Sequence, residues 1–132
     1  MRKCLVLAFV LAALGVARGS AAAYTEPETI RPVSWSLSST DGRHRLTFVV
    51  STGYCVGKPK PRIDRVARAW HRRSVVLTVF LRSPKVHFGK NEACGGVGLG
   101  ISEQIELGRS IAHRAVYDGS TSPPQRRWRP RH

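Results

Sequence analysis

Two cysteines, Cys55 and Cys94, stand on either side of the apolar run Ser-Val-Val-Leu-Thr-Val-Phe-Leu at residues 74–81. The run is rich in β-branched and aromatic residues and is bounded on both sides by polar, basic sequence. It therefore predicts a strand buried on both faces, at the centre of whatever core the chain builds. A bridge between the cysteines would tie together the segments before and after that strand. Closing a loop of this size contributes about 4 kcal/mol, a large part of a small domain's stability.

Pairing calls for an oxidising compartment, and the N-terminus supplies the case for one. Arg2 and Lys3 precede an apolar run over residues 4–17, and Gly19, Ser20, Ala21, Ala22 and Ala23 follow. These are the three parts of a secretory signal peptide, expected over residues 1–23 with cleavage after Ala23. The apolar run, closed by Arg18, is shorter than a membrane span of about 20 residues, an uncleaved anchor being the alternative. No second candidate span follows, so no transmembrane segment is expected after cleavage. Cleavage also removes Cys4 and leaves two cysteines, an even number that suits one bridge, with a free thiol pair as the alternative. A closed zinc site would need clustered Cys and His ligands, and none is expected.

Charge narrows the partners. The chain carries 22 Lys+Arg against 8 Asp+Glu, a formal +14, and losing Arg2, Lys3 and Arg18 with the leader lowers this to +11. A small domain so basic favours polyanions: anionic envelope polymer or acidic lipid, with nucleic acid disfavoured because an exported protein seldom meets it.

Along the mature chain, Val33, Trp35 and Leu37 alternate with serines, and Leu46, Phe48 and Val50 alternate likewise. Between them Asp41-Gly42 marks a tight turn, so a hairpin is expected. Residues 52–61, with two glycines and two prolines, read as loop. Residues 62–70 fit a helix, with Ile63, Val66, Ala67 and Trp70 at helical spacing, or an edge strand. Residues 85–100 read as loop, and Gly95 to Gly100 as a flexible connection rather than a phosphate-binding turn, because no helix start follows. Ile101, Ile105 and Leu107 begin a further alternation, residues 113–117 can form one last strand, and Asp118-Gly119 turns the chain out. Residues 120–132 have no apolar periodicity and are expected to be a disordered basic tail. The expected fold is all-β: a small antiparallel β-sandwich or partly open barrel over residues 24–119.

The sequence Leu107, then Ile111-Ala112-x-Arg114-x-Val116-x-Asp118-Gly119, resembles an ending, roughly Leu-Gly-x-Arg-x-Val-x-Asp-Gly, of small exported actinobacterial proteins of unknown function. Cys55, the Val-rich run and Cys94 precede it in the order they take in those chains. Ala112 stands where glycine is usual and Ser110 where proline is common. The resemblance implies an all-β domain with a Cys55 to Cys94 bridge, a strand over residues 62–70, and a structural pairing of Arg114 with Asp118.

No catalytic constellation emerges. His44, His71, His87 and His113 are scattered, no nucleophile-elbow pattern surrounds a serine, and Glu103 and Glu106 would face opposite ways on a strand. Neither a catalytic residue nor a cofactor is expected. Trp35 reads as core, Trp70 as half-buried packing and Trp128 as part of the tail. The candidate polyanion-binding residues are Arg126, Arg127, Trp128, Arg129 and Arg131. Arg62, Arg65, Arg68, Arg72 and Arg73 could extend them if several share a face. The expected function is that of a secreted or envelope-associated, non-enzymatic binding or structural domain, the alternative being a secreted enzyme acting on an anionic substrate.

Overall fold

The structure, a computed structural model, describes residues 21–131. The expected leader lies outside the described residues except for its last three alanines. Among these residues ten strands run in chain order: β1 (Tyr24–Glu26), β2 (Thr29–Val33), β3 (Ser36–Thr40), β4 (Arg45–Cys55), β5 (Arg62–Trp70), β6 (Ser74–Ser83), β7 (Val86–Phe88), β8 (Gly96–Glu106), β9 (Ala115–Asp118) and β10 (Gln125–Trp128). There is no helix among the described residues, so none that could cross a membrane.

β6 organises the larger sheet. One of its edges is taken by β5, antiparallel, from Val75 to Arg82. The other edge is shared: β9 runs parallel beside residues 74–77, and β2 runs antiparallel beside residues 79–83. β10 then pairs with β9, and β3-β4-β8 form a second, three-stranded sheet. The two sheets enclose one core. Val75, Leu77, Val79 and Val116 face Leu46, Phe48, Val50 and Ile105, with Trp35 between them. A strand pattern with period two produces this directly, because alternate side chains leave the backbone on opposite faces. β6 itself has one face fully buried and the other partly covered, less enclosed than its uniformly apolar sequence suggests.

The Asp41-Gly42 turn forms as expected. Asp41 Oδ1 accepts the main-chain N–H groups of Arg43 (2.8 Å), His44 (2.9 Å) and Arg45 (3.0 Å), led by Arg45 in its effect, and these hold its carboxyl down at about 2. Gly42 supplies a φ of 72°, which side-chain-bearing residues rarely adopt. The Cys55–Cys94 disulfide joins the end of β4 to the residues just before β8. Residues 62–70 are a strand, packed on the core through Ile63, Val66 and Trp70.

Four expectations are corrected. Residues 52–61 are not loop throughout, since β4 runs on to Cys55 by pairing with the start of β8. The alternating stretch around Trp35 is not one strand: β2 ends at Val33 in one sheet and β3 starts at Ser36 in the other, so the chain changes sheet at Ser34 and Trp35. Residues 85–100 are not a loop throughout. They hold β7, and the glycines from Gly96 onward are strand, because β4 offers a continuous ladder from Gly96 to Glu106 that overrides their poor propensity. The C-terminal segment is not a disordered tail, since β10 pairs with β9 through Gln125 to Asp118, Arg126 to Tyr117 and Trp128 to Val116.

Candidate anion-binding cleft

The tail is fixed by the residues that turn the chain out of β9. Asp118 is fully buried at the point where β9 and β2 meet along the edge of β6. Its carboxylate accepts from Ser34 Oγ (3.1 Å), the Trp35 N–H (3.2 Å), the Ser120 N–H (2.9 Å) and Arg127 Nη2 (3.0 Å). Burial alone would push this carboxyl up. The Ser120 N–H, the Arg127 guanidinium and the Trp35 N–H outweigh that effect, and the group is held below the usual carboxylate value. Gly119 follows because nothing larger fits: a Cβ there would press on Thr78 Oγ1 and lie 2.8 Å from Val76 Cγ1.

Arg127 is thus committed inward. It also donates to Ser34 Oγ at 2.7 Å and lies over the Trp35 ring at 5.9 Å. This removes it from the expected polyanion set, and it replaces Arg114 as the partner of Asp118. Arg114 instead donates to the carbonyls of His71 (3.1 Å) and Ser110 (2.6 Å) and lies over the Trp70 ring. Trp128 packs against the core and beside Gly42 rather than standing free. Arg126, Arg129 and Arg131 remain exposed.

The arginines of β5 do not form one face. Arg65 pairs with Asp64 and covers Phe80, whereas Arg68 reaches across to the Glu106 carbonyl at 2.9 Å, linking β5 to the edge of the opposite sheet. Arg62 is exposed at the start of the strand. The turn after β5 behaves differently. Arg114 holds the His71 carbonyl, and the Ala115 N–H donates to the Arg73 carbonyl at 3.0 Å, so the turn is docked on the segment leading into β9. The end of the chain arrives at the same place because β10 brings it there.

The result is a cleft of about 580 Å³ lined by Arg72, Arg73, Ala112, His113, Pro130 and Arg131. A second hollow of about 450 Å³ shares Ala112, Pro130 and Arg131 with it and adds Arg43, Asp41 and Trp128. Arg43, Arg72, Arg73 and Arg131 are exposed and take part in no ion pair among the described residues. Among the described residues, the carboxylate that lines these hollows, Asp41, is already taken up by three main-chain N–H groups. Unopposed guanidinium groups brought together from separate segments form a region of positive potential suited to phosphate or carboxylate oxygens, which the planar fork can meet two at a time.

From sequence, Arg131 was recognisable as a candidate, and Arg72 and Arg73 as a possible extension. His113 and Arg43 were not, because their place in the cleft depends on the docking of β10. No group of three or more His, Cys, Asp or Glu side chains among the described residues is placed to hold a metal ion. Comparison with protein families, curated proteins and solved structures finds no match for the chain.

Proposed function

We propose that this protein is an exported, non-enzymatic binding domain that holds a phosphate- or carboxylate-bearing polymer of the cell envelope in the cleft between the β5–β6 turn and the C-terminus. The observation that carries this reading is the convergence of Arg72, Arg73 and Arg131 with His113 on one cleft whose lining includes no carboxylate among the described residues. Guanidinium groups keep their protons throughout the physiological range, so the three arginines offer the cleft fixed charge and a planar fork for oxygen acceptors. The formal +11 expected of the mature chain adds long-range attraction, which draws a polyanion in and weakens as salt screens it.

The test is titration of the full chain with inorganic polyphosphate at several salt concentrations, repeated with the Arg72→Gln/Arg73→Gln variant. Affinity should fall steeply with salt, and removing two contacts should lower the slope of log affinity against log salt by roughly one to two. Binding to anionic vesicles in place of polyphosphate would move the ligand from polymer to lipid. Polyphosphate affinity unchanged in the variant would remove the cleft from the function.

A further inference from the structure

The opposite end of the sandwich has another character. There the inner faces of the two sheets run on past the core: on β2 the row of Val33 continues to Arg31 and Thr29, on β6 that of Leu81 to Ser83, and on β4 that of Val50 to Tyr54. Among the described residues no further side chain closes this space, and a groove of about 810 Å³ opens between the sheets, within the size range of small-molecule sites. Its walls include Tyr54, Phe88, Val97, Pro59, Pro61 and Pro84. Proline contributes no main-chain donor, so these walls offer little for a polar ligand body to bond. Among the described residues, the large apolar side chains left exposed are Tyr24, Ile30, Val56 and Val97, and all belong to this end.

One cation stands in this groove without a partner among the described residues. Arg31 occupies an inward-facing position beside Leu81 in the β2–β6 register, yet makes no ion pair or side-chain hydrogen bond among the described residues. Lys58, the other cation of the wall, is held by Glu92 (2.7 Å), by the His87 carbonyl (2.7 Å) and over the Phe88 ring. Glu26 is the only carboxylate among the lining residues, and it is not ion-paired with either cation. A guanidinium on a core-facing row of apolar walls complements an anionic head carried by an apolar body.

We propose that this groove binds a single-chain fatty acid, with its carboxylate on Arg31 and its hydrocarbon chain between the Tyr54–Val97 wall and the proline-lined wall opposite. The site is distinct from the basic cleft, which lies at the other end of β4, β6 and β8, so one protein would hold a polymer and a free amphiphile independently.

The experiment measures displacement of a fluorescent fatty-acid analogue from the full chain by oleate, by oleyl alcohol and by acetate. Saturable binding is expected, with oleate displacing the probe about tenfold better than the alcohol, the value of one charge-assisted contact, and acetate not at all. Arg31→Gln, an exposed position, should abolish the preference for oleate over the alcohol while leaving polyphosphate binding unchanged. Val97→Glu, also at the surface, should weaken probe binding in the otherwise native protein. Absence of saturable binding would overturn the proposal. So would equal displacement by oleate and alcohol in the unmodified protein, an oleate preference that survives Arg31→Gln, or capture of phospholipid vesicles without capture of free oleate.

Discussion

Replacing Asp118 by asparagine probes the junction on which both sheets and the C-terminal strand depend. Oδ2 serves Ser34, Trp35 and Arg127, and Oδ1 serves the Ser120 N–H. An amide has one oxygen, so whichever way it turns, its NH₂ group faces at least one donor. A buried donor left without an acceptor costs about 1–3 kcal/mol. Arg127 also loses its counter-charge, and breaking a buried pair from one side costs about 3–5 kcal/mol. That second figure is discounted here, because the Arg127 side chain keeps 20% of its surface in water. The expected loss is about 3 kcal/mol, which for a domain of this size lowers the unfolding midpoint by roughly 12–24 °C.

The pH dependence has a definite sign. A carboxyl whose folded-state pKa is depressed contributes stability above its unfolded value, near 3.9, and loses it as pH falls through the lower folded value. Urea unfolding followed by tryptophan fluorescence should therefore show a constant gap between the native protein and Asp118→Asn from pH 7 to 5, narrowing below about pH 4. A loss under about 1 kcal/mol, or a gap that persists unchanged to pH 2, would refute the assignment of Asp118 as an ionised, donor-saturated centre.

Leu77→Ala, at a fully buried site on β6, should cost about 2–5 kcal/mol in equilibrium unfolding, and a loss below about 0.5 kcal/mol would mean the strand is not central. Gly119→Ala should cost about 1–3 kcal/mol through contact with Thr78 and Val76, and adding Thr78→Ala should recover part of it in the same measurement. Reducing the Cys55–Cys94 bond, which closes a loop with a sequence separation of 39, should lower stability by about 4 kcal/mol, and free thiols found at these two positions by mass spectrometry of the protein purified without reductant would contradict the pairing.

The elements that could be read from sequence are those whose side chains carry the signal themselves. β6 announces itself by β-branched residues, the β3–β4 turn by Asp41-Gly42, and the disulfide by the two cysteines that flank β6. What escaped depends on partners distant in the chain. Gly96, Gly98 and Gly100 have poor strand propensity, and pairing with β4 makes them strand. β10, Gln-Arg-Arg-Trp, has no period-two pattern. It is held by main-chain pairing and by the need of a buried carboxylate nine residues earlier for a cation. The basic cleft was illegible for the same reason, since Arg131 reaches Arg72 and Arg73 by way of β10, and a segment expected to be disordered cannot be assigned neighbours.

Backbone amide NMR of the full chain during titration with inorganic polyphosphate tests the central claim most directly. Perturbations should concentrate at Arg72, Arg73, His113 and Arg131, with Arg43 following and the residues around Arg31 and Val97 at the far end unmoved. Shifts spread evenly over all exposed arginines, or centred on the far end, would contradict the assignment of the cleft as the polymer-binding site.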